Sequence, residues 1–263
     1  MSLANPAKIT LVFFLFLSLI LLSAPRATST DASAVRHALE SRYRNARNLK
    51  AAFFESYSDG KGGTSAESGT VYFSRPGRMR WEYESPERKL FLVDGTNVWF
   101  YVPADRTASR AKVKDSADWR TPIALLAGKA DMSQLCKSLE IVPQGNRAQQ
   151  SHGRATAGPA PLRTETGASA HPPDPPDTSL DTVLRCVPRG KSDDPQTPRE
   201  ILFEVNPQAY LVRAVIREPG DLEMEFRFGN WQENIPIPET KFHFQPPPGV
   251  AVVDEQTLAG ELR

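Results

Sequence analysis

The chain offers few of the side chains that catalysis needs. Its four histidines, His37, His152, His171 and His243, stand apart from one another, and none has a His, Cys, Asp or Glu cluster at metal-ligand spacing. There is no serine elbow and no glycine-rich phosphate loop. Neither cysteine, Cys136 or Cys186, has a partner that would make it a nucleophile. The acids fall mainly on what read as polar strand faces, where solvated charge is the ordinary explanation. The expectation is therefore a protein that is not an enzyme and that carries no metal and no cofactor. One charge does require chemistry of its own. Arg75 follows Val71 and Phe73 in an alternating run, which points it to the same face as Phe73 and Met79. A guanidinium there needs an acceptor, because an unpaired buried charge is costly. Either it lies at a solvated rim or it bonds to whatever covers the sheet.

The apolar residues on that face are unusually large: Phe73, Met79, Trp81, Tyr83, Phe91, Trp99, Phe100, Tyr101, Phe226 and Phe228. An ordinary aromatic core would use them. So would an adaptable lipid cavity, since aromatic and methionine side chains present broad apolar surface and accommodate varied chain shapes.

The elements that must position these residues follow from periodicity. Between Asp31 and Ala46, Val35, Leu39 and Tyr43 recur every four residues, while Arg36, Glu40, Arg42 and Arg44 lie elsewhere, which predicts one amphipathic helix. The period then changes to two. Val71 to Arg75 and Met79 to Tyr83 read as a strand pair or a bent strand. Lys89 to Val93 and Val98 to Val102 flank Asp94-Gly95-Thr96-Asn97, a tight hairpin signal. Thr121-Pro122 opens a short helix through Ala127, closed by Gly128. Further strands are expected at 135–142, 180–187, 200–205, 210–218 and 221–228, the last with Leu222, Met224, Phe226 and Phe228 on one side. The sum is one antiparallel β-domain with two helical pieces.

At the N-terminus, Lys8 precedes an apolar run from Ile9 to Leu22 and then small residues, the layout of a secretory signal peptide over residues 1–29. The run is shorter than the roughly 20 residues a membrane-spanning helix needs. No cysteine precedes Cys136, so the expected product is an exported, unacylated and soluble protein, a single domain over 30–263. Its charge is close to balanced, and nothing points to nucleic acid. Residues 143–179, rich in Pro, Gly, Ala, Gln and Thr without apolar period, read as a disordered insertion. A hairpin across that insertion that pairs Val142 with Leu180 would set Cys136 opposite Cys186, where a disulfide would clamp it.

Several motifs together resemble the outer-membrane lipoprotein carrier family, LolA. They are Ser74-Arg75-Pro76-Gly77-Arg78-Met79-Arg80-Trp81, Ser85-Pro86, Val93-Asp94-Gly95 and Val98 to Pro103, with Thr121-Pro122, Leu125-Leu126 and the tail Lys241 to Val250. The resemblance implies a mainly β fold, an incomplete antiparallel β-barrel wrapped on a helical lid. It implies a monomeric carrier of acylated lipoproteins that loads from an inner-membrane lipoprotein-releasing ABC complex and delivers to an outer-membrane lipoprotein receptor. It places a lid-gating role on Arg75 and an acyl-chain cavity on Phe73, Met79, Trp81, Tyr83, Phe91, Phe226 and Phe228, with methionine at 79 where phenylalanine is familiar. Lid positions fall on Leu39, Tyr43, Ile123, Leu125 and Leu126. The alternative from another class is a lipid- or lipoprotein-sensing protein of the same fold without a transport role. A plain β-domain with a filled core is the third.

Overall fold

Asp31 accepts a hydrogen bond from the Ser33 backbone N–H at 3.0 Å, the side-chain cap that starts helix α1, Ala32–Asn45. Arg42 and Arg44 lie in its last turn, where cations suit the negative end of the helix dipole. The computed structural model describes residues 31–113, 131–143, 180–190 and 197–254. The expected signal peptide, the Thr121–Ala127 helix and nearly all of the 143–179 insertion lie outside them.

Twelve strands follow: β1 Asn48–Ser58, β2 Thr64–Ser74, β3 Arg78–Ser85, β4 Lys89–Val93, β5 Asn97–Val102, β6 Thr107–Lys112, β7 Cys136–Ile141, β8 Thr182–Pro188, β9 Glu200–Val205, β10 Leu211–Arg217, β11 Glu223–Glu233 and β12 Ala251–Asp254. A second short helix, α2 at Met132–Leu135, leads into β7. The strands form one sheet in the order β12-β6-β5-β4-β3-β2-β1-β11-β10-β9-β8-β7. Its neighbours are antiparallel except β12, which runs parallel to β6. The end strands β12 and β7 are not paired to each other, so the sheet stays open. Among the described residues the fold is thus mainly β, an open sheet with short helices, in keeping with the incomplete barrel expected.

The hairpin at Asp94 forms as its sequence predicts. Gly95 has φ +102°, a left-handed conformation suited to glycine, and the Asp94 carboxylate accepts from the Thr96 and Asn97 backbone N–H groups. Sequence periodicity left β1, β6 and β12 unread. In β1, adjacent Phe53 and Phe54 mask the alternation that buries Leu49, Ala51 and Phe53.

One face of the sheet carries the main core, in which Leu39 and Tyr43 of α1 pack with Leu49, Phe53, Phe73, Trp81, Leu184, Phe203, Phe226 and Phe228. On the opposite face, Leu90, Leu92 and Trp99 pack under Phe242, with Tyr101 and Phe244 beside them. Trp99 and Tyr101 therefore do not share the inner face expected for them. Strand alternation sets them opposite to Phe100, which pairs with Phe91 and is 41% exposed.

The β7–β8 register also differs from the expected one. Leu139 pairs with Cys186 and the Val142 N–H bonds to the Val183 carbonyl, where the sequence reading paired Val142 with Leu180. Cys136 lies across a register shift at the end of α2, and its Cα is 5.4 Å from that of Cys186, to which it is disulfide-bonded. The polar face of β8–β11 is an ion-pair lattice rather than a row of merely solvated charges. Arg213 forks onto Glu225 at 2.9 and 3.0 Å, and Arg217 bridges Glu200 and Glu223.

Candidate functional site

The inner face is built by cross-strand pairing. β2 and β3 set Phe73 against Met79 and Val71 against Trp81, and β3 and β4 set Trp81 against Phe91. β1 and β11 set Phe53 against Phe228 and Glu55 against Phe226. Side chains of one parity project together, so a single aromatic field spans five strands. Trp81 is its centre. Its ring stands edge-on to Phe53 at 4.7 Å, Phe226 at 5.8 Å, Phe228 at 6.1 Å and Phe73 at 6.3 Å. Phe73, Trp81, Phe226 and Phe228 are buried, while Met79, Tyr83 and Phe91 are partly exposed at the margin. All seven residues assigned to the acyl-binding face thus lie on one side of the sheet.

Two polar features stand out on this apolar ground. The Trp81 indole N–H is buried with no acceptor among the described residues, an arrangement that costs about 1–3 kcal/mol. Tyr83 donates its hydroxyl to Glu55 at 3.0 Å, and Lys89 pairs with Glu67 while standing 5.6 Å from the Tyr83 ring centre. Burial pushes the Glu55 carboxyl above its usual range against the lowering effect of that hydrogen bond, with the Glu67 charge adding to the rise. Burial, then the Glu55 charge, pushes Tyr83 up as well, so its hydroxyl keeps its proton at neutral pH and remains the donor.

Helix α1 lies on the main core and is fastened by polar contacts. The Tyr43 hydroxyl accepts from the Leu211 backbone N–H at 3.0 Å, Glu40 accepts from the Met132 N–H at 2.8 Å, and Arg42 pairs with Glu233 at 2.6 Å. Arg75 Nε donates to the carbonyl of Ala46, the C-cap of α1, at 3.2 Å. Burial holds the Arg75 pKa below its ordinary value. The crevice beside it, between Ala46, Leu49, Phe73 and Arg75, has no room for a water molecule. Of the lid positions, Leu39 and Tyr43 lie fully buried on the inner face, whereas Ile123, Leu125 and Leu126 fall outside the described residues. Tyr43→Phe should lower the unfolding free energy by about 1–3 kcal/mol, because it strands the Leu211 N–H; urea unfolding with a change below about 0.5 kcal/mol would sink this account.

Sequence reasoning missed Phe53, Glu55 and Glu40. The first two lie on the unread β1. Glu40 was grouped with the wet side of α1, yet it is 3% exposed because it receives the first N–H of α2 from a distant part of the chain. A helix pattern read alone has no signal for such a partner. Among the described residues no three His, Cys, Asp or Glu side chains are grouped to hold a metal, and no helix is long and apolar enough to cross a membrane.

The site is thus the face of an open, mainly antiparallel sheet that receives a short helix, with an arginine on the carbonyl that caps that helix. Residues 44–153 match the family model described as outer membrane lipoprotein carrier protein LolA. It is similar to the outer-membrane lipoprotein carrier protein of Nitrosospira multiformis, 37% identical over 45% of this chain and 58% of that protein. Against the protein of the same name from Nitrosomonas europaea it is 36% identical over 51% of this chain and 63% of that one. The matches thus span about three fifths of these relatives' length. A LolA superfamily protein of solved structure, also from Nitrosomonas europaea, aligns with a TM-score of 0.38 at 9% identity, covering 82% of this chain and 99% of that one.

Proposed function

We propose that the chain is a periplasmic carrier that holds the acyl chains of lipoproteins against its inner aromatic face. It takes them from the inner-membrane lipoprotein-releasing ABC complex and passes them to an outer-membrane lipoprotein receptor, acting as a monomer without a cofactor. The observation that carries this reading is the field of aromatic rings around Trp81, continuous over five strands and bordered by partly exposed Met79, Tyr83 and Phe91. Each methylene withdrawn from water contributes about 0.8 kcal/mol, so acyl chains have ample drive to replace the ring-to-helix contacts of the closed state. Loading shifts the population toward an open state by differential affinity for it. Onward transfer needs no energy source if the receptor binds the chains more tightly.

Native mass spectrometry of the protein recovered from a bacterial periplasm tests the reading. A bound lipoprotein is expected, and Trp81→Asp should abolish it. Persistently empty protein that also takes up no purified triacylated lipoprotein would overturn the carrier role and leave a sensor of the same fold.

A further inference from the structure

We propose, resting on the carrier reading above, that the Trp81 indole N–H is the polar reading point of the acyl-binding face. It donates a hydrogen bond to the ester or amide carbonyl that joins a fatty-acyl chain to its headgroup. Trp81 is 1% exposed, and its Nε1 has no acceptor among the described residues. The other two tryptophans described each have one: Trp99 donates to Asp94 at 3.1 Å and Trp231 to the Leu211 carbonyl at 2.9 Å.

The ring neighbours of Trp81 are Phe53, Phe73, Phe226 and Phe228, which carry no side-chain oxygen and offer an N–H at most a weak contact with a ring face. A phenylalanine at this position would give the same apolar contacts without an orphan donor. Two residues along the strand, the Tyr83 hydroxyl is engaged with Glu55, and the Phe53 ring touches both Trp81 and Tyr83, at 4.7 and 5.0 Å. The donor at Trp81 thus stands apart from the Tyr83–Glu55 pair.

The ligand that fits must be apolar enough to lie among phenylalanines and must bring an uncharged acceptor, since a buried anion without a counter-charge is costly. An acyl ester or amide meets both needs. The carbonyl reaches the N–H while the hydrocarbon attached to it lies along the rings. Glyceryl esters of a lipoprotein and of a phospholipid share this chemistry.

The test uses the full chain recovered after export and labelled with nitrogen-15 tryptophan. It is titrated with a diacylglyceryl-cysteine lipopeptide, with a diacyl phosphatidylglycerol, and with the dialkyl ether counterpart of each. The Trp81 indole resonance, assigned by its loss in Trp81→Phe, is expected to move downfield with ester-linked ligands and to lack that movement with ethers. Trp81→Phe should weaken ester binding about fivefold more than it weakens ether binding, the effect of one neutral hydrogen bond. A shift with the lipopeptide alone assigns the carbonyl to lipoprotein, and a shift with both assigns it to acyl esters in general; either supports the proposal. An indole resonance that responds alike to saturating ester and ether, or equal weakening of both by Trp81→Phe, overturns the proposal while the carrier reading stands. Failure of the unaltered protein to bind any of the four ligands overturns both.

Discussion

Changing Cys136 and Cys186 together to alanine should lower the unfolding free energy by about 4 kcal/mol. The two residues are 50 apart in sequence, and the chain-entropy relation for a closed loop of that length gives a loss of this size. Both are nearly inaccessible, so the missing sulfurs leave small voids in the main core that add to the loss. The bridge also fixes more than one strand pair. Cys136 caps the C-terminus of α2, and the first N–H of α2 is held by Glu40 of α1. Releasing the bridge therefore loosens the seat of α1 on the inner face, and protection of the Tyr43 and Leu211 amides from hydrogen exchange should fall along with global stability. Urea unfolding of the double variant measures the effect. A loss below about 1 kcal/mol would mean that pairing of β7 with β8 and the packing of Met132 and Leu135 suffice without the bridge.

How far such contacts can be read from sequence depends on whether their cause is local. The α1 period and the Asp94-Gly95 turn are both local, and each element formed within a residue or two of its expected place. Alternation also sorted Phe73, Trp81, Phe226 and Phe228 onto one face, because period two is a property of the strand alone. It failed for Trp99 and Tyr101 because β4 and β5 bear apolar residues of both parities. Such strands are covered on both sides, here by the main core and by Phe242 and Phe244 of the C-terminal segment, and nothing within them says which side a residue joins. The β7–β8 register was misread for a related reason. Counting back from two cysteines assumes an unbroken ladder, and the shift beside Cys136 breaks it. Glu40 and Glu55 were illegible because burial of a carboxylate depends on a donor brought from elsewhere, Met132 in one case and Tyr83 in the other.

Arg75→Leu should load lipoprotein about as well as the unaltered protein and release it to the receptor at least tenfold more slowly. Its basis is the bond from Arg75 Nε to the Ala46 carbonyl at 3.2 Å, at the negative end of the α1 dipole. A charge-assisted hydrogen bond of this kind is worth roughly 1.5–3 kcal/mol, which corresponds to about ten- to a hundredfold in the balance between closed and open forms. On the proposed carrier function, closing the empty protein with this bond would help to expel the cargo, and without it the open loaded form would lose its competitor. The unfolding free energy should fall by no more than the worth of that bond, since a leucine of comparable bulk also removes the desolvation penalty of the buried charge. Unchanged loading with slowed release separates the gate from a merely structural arginine, whose loss would impair both alike. Arg75→Lys should fall between the two proteins, since an ammonium keeps the charge at the helix end without the planar geometry of a guanidinium. The measurement is the rate at which preloaded protein hands a labelled lipoprotein to an outer-membrane receptor. An unchanged rate in Arg75→Leu would remove Arg75 from the release step and leave it as a fastening of α1 alone.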